Sequence, residues 1–107
     1  MEQDEEEAFR LYMLAADQGY VLAEYAVAYS YYTGLGAEQN YGEAVRYFNL
    51  AADQDLVEAW VALGECYYKG NGVEKDFEKS AEMYQKALDH GFEPGEEDQA
   101  IIDEVLG

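Results

Sequence analysis

The chain has 107 residues, the size of one domain, and half of them are hydrophobic, which excludes a disordered acidic tail. Its 24 acidic and 6 basic side chains leave a formal charge of −18. That balance excludes nucleic acid as a partner, because such binding rests on neutralising phosphates with Lys and Arg, and it excludes docking on an anionic membrane surface. Partners with basic character are favoured, through contacts that weaken as salt rises; solubility alone is the other reading of the same charge.

Taken in chain order, the segment from about Asp4 to Gln18 reads as a helix opening on an acidic run, Glu5 to Glu7. A second helix is predicted from Val21 to Thr33, ended by Gly34 in the left-handed conformation. After a short loop, Asn40 stands as N-cap for a helix from Tyr41 to Gln54, and Asn40 with Glu43 resembles a capping box. The pattern then returns. A helix from Val57 to Lys69 is ended by Gly70, and Asp76 caps a helix from Phe77 to His90. The tail suits a last helix from Pro94 to Leu106, with Pro94 in its first turn and the acidic residues 96 to 98 at its N-terminus. No strand-like alternation of useful length occurs.

The recurrence is the strongest signal in the sequence. "YYTGLG" (Tyr31 to Gly36) returns as "YYKGNG" (Tyr67 to Gly72), 36 residues on. At the same shift Ala23 and Ala26 fall on Ala59 and Ala62, and Asn40-Tyr41 falls on Asp76-Phe77. The closing half of the unit occurs three times, as "EAFRLYMLAADQG", "EAVRYFNLAADQD" and "KSAEMYQKALDHG", so that Tyr12, Phe48 and Tyr84 correspond. A Gly-x-Gly that cradles phosphate would follow a strand and open a helix. These glycines end helices instead.

At these residues the chain resembles the Sel-1-like repeat family, relatives of the tetratricopeptide repeats. The segment "AWVALGECYYKGNGVEKDFEKSAEMYQKALDHG" carries the pattern most fully: a small residue and Leu-Gly in the first helix, Tyr, Gly-x-Gly-Val, an acidic cap, then a small residue near the end of the second helix. "LAADQG" (Leu14 to Gly19) carries its closing part. Ala28 stands where the next repeat has Gly64, Asp55 replaces a closing glycine, and Ser80 replaces the alanine of Ala8 and Ala44. The resemblance implies an all-α fold, a right-handed α-solenoid of antiparallel helix pairs, acting as a protein-interaction scaffold and not as an enzyme. It implies a single repeat domain over 1–107: a half repeat at 1–19, full repeats at 20–55 and 56–91, and a C-terminal capping helix at 92–107. Some secreted members carry a disulfide in each repeat; Cys66 is the single cysteine, so this chain is not of that kind.

In resembling solenoids the first helix of each pair lines the concave surface, which is where solenoids bind. At about 100° per residue, Ala23, Ala26, Val27 and Ser30 share a core face, with Tyr31 at its edge. Leu22, Tyr25, Tyr29 and Tyr32 lie nearly opposite, and the next repeat puts Glu58, Val61, Glu65 and Tyr68 there, with Lys69 at the end. These nine residues are the candidate partner-binding site: an aromatic stripe beside an acidic patch, suited to Arg or Lys of a peptide or protein segment. The bland alternative is that the tyrosines only pack on neighbouring helices. An alternative use of the whole chain is a self-assembling or purely structural module, a fragment or an engineered array, with Phe9, Leu11, Tyr12 and Met13 of the first helix partly open.

No catalysis is expected. His90 is read as a helix C-terminal cap and Cys66 as a small core residue. The acidic runs "EQDEEE" and "GEEDQ" do not match an EF-hand loop, so no metal or other cofactor is predicted. The N-terminus lacks a basic-then-apolar signal, apolar runs such as "AWVAL" are too short to cross a membrane, and the lone cysteine fits a reducing compartment; the cytoplasm is the expected location.

Overall fold

The computed structural model describes residues 4–107. Residues 1–3, part of the acidic N-terminal run and of the expected half repeat, lie outside the described residues. Among those described there are six helices and no strand: α1 Glu5–Ala16, α2 Val21–Thr33, α3 Tyr41–Ala52, α4 Val57–Lys69, α5 Phe77–Asp89 and α6 Glu96–Leu106. Each helix packs on its neighbours in sequence, the architecture of an all-α solenoid.

The repeated residues make repeated joints. Asp4, Asn40 and Asp76 each accept a hydrogen bond from the backbone N–H three residues on, at 3.0 to 3.1 Å. The capping box at Asn40 and Glu43 does not close. The Asn40 N–H already donates to the Tyr31 carbonyl, and Glu43 turns outward to Arg46 at 2.9 Å. Pro94 does not enter the last helix as expected; Gly95 is the N-cap and the first helical bond runs from Gln99 N–H to its carbonyl. The helices α1, α3 and α5 also stop one or two residues before the expected ends, because tight turns back to the last carbonyls take over.

In each Gly-x-Gly the two glycines do different work. Gly34 and Gly70 end α2 and α4 at positive φ. Gly36 and Gly72 let the loop approach the start of the preceding second helix. A Cβ on Gly72 would strike the Tyr41 carbonyl and Val45, and one on Gly36 the Glu5 carbonyl and Phe9. The loop is thus a joint between successive repeats as well as a turn.

The core runs along the array through Val27, Phe48, Leu63 and Tyr84, with alanines between them. Phe48 is 1% exposed, and its burial contributes about 2–3 kcal/mol. The predicted core face of α2 is rotated. Ala23 and Val27 are buried, but Ala26 and Ser30 are only half-buried, and Glu24 and Ala28 lie deeper. On α4 the equivalents of Ala26 and Ser30, namely Ala62 and Cys66, are buried. The reason is position in the array: α4 lies between two helix pairs, whereas α2 has the single helix α1 on one side. Glu24, 5% exposed, is satisfied by Gln54, whose amide donates to it at 2.9 Å and to the Gly19 carbonyl at 3.0 Å.

Candidate functional site

The first-type helices meet at one cleft. It holds about 240 Å³ and is walled by Tyr25 and Tyr29 of α2, Glu58, Val61, Ala62 and Glu65 of α4, and Phe92, Glu97 and Asp98 at the entry to α6. Five of the nine residues singled out from the sequence come together there: Tyr25, Tyr29, Glu58, Val61 and Glu65. The other four lie outside its walls. Leu22 is 68% exposed at the start of α2. Tyr32 accepts a hydrogen bond from Asn71 at 3.0 Å and packs on Tyr41 and Phe48. Tyr68 stacks on Phe77 at 5.2 Å and donates to Glu104. Lys69 pairs with Glu65 at 2.7 Å.

Phe92, Glu97 and Asp98 were not anticipated. A signal for two of them was available: one further step of 36 carries Val61 onto Glu97 and Ala62 onto Asp98. The same positions on three successive first-type helices therefore read Tyr25, Val61, Glu97 and Ala26, Ala62, Asp98. Reading the tail only as a cap hid this, because α6 keeps the register of a first-type helix while starting late, behind Pro94 and Gly95.

Tyr25 and Tyr29 pack on the core and also line the cleft. Tyr25 and Tyr29 meet edge to face at 5.1 Å, and both rings reach the buried Phe48, at 5.8 and 5.3 Å. That fixes their rings while leaving part of each toward the cleft. Burial, first, and then the nearby Tyr29, Glu58 and Glu65 hold the Tyr25 phenol well above its ordinary pKa; burial does the same at Tyr29. Behind the cleft, the Tyr84 hydroxyl donates to Asp98 at 2.9 Å, which holds one carboxylate oxygen in place. Burial and that bond push the Tyr84 phenol up as well.

Neither Cys66 nor His90 lines the cleft. Cys66 is fully buried, and its thiol is pushed up to about 12, chiefly by burial. His90 caps α5, its Nδ1 2.9 Å from the Lys86 carbonyl and its ring 4.8 Å from Trp60. Among the described residues, no three His, Cys, Asp or Glu side chains converge to hold a metal ion, and no helix is long and apolar enough to cross a membrane. On α1, Leu11 and Tyr12 are exposed, at 53% and 46%, whereas Phe9 and Met13 pack against the core, Phe9 edge to face with Tyr31 at 5.3 Å.

Comparison with known proteins agrees with the helical-repeat fold. The Sel1 repeat family matches residues 1–20, 21–56 and 58–92. A Sel1 repeat protein from Oxalobacter formigenes is 30% identical over 95% of this chain, with a TM-score of 0.81. A protective antigen of uropathogenic Escherichia coli strains, displaying an SLR fold, is 32% identical over 84% of the chain, with a TM-score of 0.82. The aligned region is 41% of the first of those chains and 19% of the second. Among curated proteins none matches significantly. With the repeat matched three times and the helix pairs superimposing on solved relatives, the chain belongs to the Sel1 repeat family.

Proposed function

We propose that the chain is a protein-interaction scaffold that binds a segment of basic character across its first-type helices. Membership of the Sel1 repeat family points to the scaffold role, and the family is one of scaffolds more than of enzymes. The observation that supports the site is the convergence of α2, α4 and α6 on one cleft whose walls carry three aromatic rings, four carboxylates and no basic side chain. Aromatic side chains supply contact area at low entropic cost, and the carboxylates select the sign of the partner. The chain's charge of −18 would steer such a partner in and repel an acidic one.

A selection of short random peptides against the immobilised chain tests this. Enriched sequences should be rich in Arg and Lys, should bind less well at high salt, and should be lost by a Glu58→Gln, Glu97→Gln double variant. Both changes are at exposed positions, so the fold should survive them. Enrichment of acidic or purely apolar sequences, or undiminished binding by the variant, would overturn the reading.

A further inference from the structure

The geometry points to the cleft as a pocket for one guanidinium group, so that an arginine side chain is the anchor of the bound segment. This rests on the reading above and makes it specific. The cavity of about 240 Å³ falls below the roughly 300–1,000 Å³ of drug-sized ligand pockets and suits one long side chain. Glu58, Glu65, Glu97 and Asp98 line it, and no Lys or Arg does. The nearest cation, Lys69, is engaged by Glu65 from outside the walls. The ligand is therefore a cation. A metal ion does not fit, because the acidic groups do not converge on a point. They are spread over walls that also carry Tyr25, Tyr29 and Phe92.

That mixture separates the two side chains that carry a full positive charge at neutral pH, Lys and Arg. An ammonium is a compact, strongly hydrated charge, and an open carboxylate rim gives it little reason to shed water. A guanidinium is planar and weakly hydrated; it stacks on aromatic rings and presents several N–H donors to carboxylates in different directions. The site is also prepared for such a shape. Asp98 is held by the Tyr84 hydroxyl at 2.9 Å and Glu65 by Lys69 at 2.7 Å, so two acceptors are oriented before binding, while Glu58 and Glu97 are exposed on the rim.

The test is an NMR titration of the full chain with blocked arginine (N-acetyl-arginine amide), blocked lysine and blocked citrulline. Arginine should shift the amides of residues around Tyr25, Val61 and Glu97 saturably and bind at least about tenfold more tightly than lysine. Citrulline, which keeps the shape and loses the charge, should not bind. The Glu58→Gln, Glu97→Gln variant should lose most of the arginine affinity, and Leu11→Ala, exposed on α1 and outside the cleft, should keep it. Equal affinity for arginine and lysine would overturn the guanidinium pocket. So would arginine shifts elsewhere on the surface, or full affinity in the double variant. If blocked arginine shifts nothing while selected basic peptides still bind at the cleft, this inference fails and the scaffold reading stands. If the peptides fail too, both fall.

Discussion

The two full repeats solve the same packing problem with different residues. In the first, Ala28 of α2 and Ala44 and Phe48 of α3 are buried in one core; in the second, Gly64, Ser80 and Tyr84 occupy the same positions, 36 residues on. Phe48 is enclosed by Tyr25, Tyr29 and Tyr32. Tyr84 is enclosed by α4 and α6, and its hydroxyl needs Asp98. The ring of Tyr84 lies so close to Gly64 that a Cβ there would approach it to 2.7 Å, and the Ser80 hydroxyl donates to the Gly64 carbonyl at 2.8 Å. A second substitution pair follows the same logic. The buried Glu24 with its Gln54 partner becomes Trp60 against His90. Each repeat is internally consistent, and single residues are not freely exchangeable between them.

Alkaline pH should give the largest effect, and on both repeats, because burial raises the phenols of Tyr25 and Tyr29 in the first as well as Cys66 and Tyr84 in the second. Cys66 and Tyr84 are fully buried in the second repeat, where the first has Ser30 and Phe48. Both groups have raised pKa values in the fold, so their contribution is intact below the unfolded pKa and is lost as pH rises through the window up to the folded one. Above about pH 9 the unfolded thiol ionises while the folded one does not until about 12. Each such group lowers stability by about 1.4 kcal/mol per pH unit in its window. Urea midpoints should therefore hold from neutral pH to about pH 9 and fall steeply from there to pH near 11. Tyr84→Phe, which installs the first repeat's residue, should lose about 1 kcal/mol at neutral pH with its hydrogen bond. It should also flatten the decline above pH 10; an unchanged slope would mean that Tyr84 is not held protonated by the fold.

Exchange of the small residue is the next largest effect. Gly64→Ala gains about 1 kcal/mol of helix propensity and meets the Tyr84 ring, at a cost of about 1–3 kcal/mol. A net loss of up to about 2 kcal/mol in thermal or urea unfolding is expected. Ala28→Gly, the reverse exchange in the first repeat, should also lose about 1 kcal/mol, through propensity. Stabilisation by Gly64→Ala would show that the ring can yield, and that the two sites are alike.

The smallest effect concerns the closing turn. Asp55 has φ 64, the left-handed region, where Gly19 and Gly91 stand in the corresponding turns. Asp55→Gly should raise stability by about 0.5–1 kcal/mol, the strain of the side chain less the entropy that glycine adds to the unfolded chain. A loss on this change would mean that the Asp55 side chain contributes more to the turn than its backbone strain costs.

Much of the architecture was legible in the amino-acid order because the signals that set it are local and repeated. Glycines at helix ends, Asn or Asp three residues before a free backbone N–H, and an apolar pattern returning every 36 residues place α2 to α5 nearly to the residue. That Tyr25 and Tyr29 share one face, and Glu58 and Glu65 the matching face of the next repeat, followed from the helical angle; that this face is the inner one was what the family resemblance implied. What tertiary structure decided was adjacency. Only the packed array shows that α6, starting behind Pro94 and Gly95, brings Glu97 and Asp98 opposite Tyr25 and Tyr29, and that Tyr32 and Tyr68 turn to other partners. It also rotated the core of α2, since which side of a helix is buried depends on how many neighbours flank it. Local sequence sets where a helix begins and ends. Which of its residues form a site depends on long-range packing, and no residue carries that information by itself.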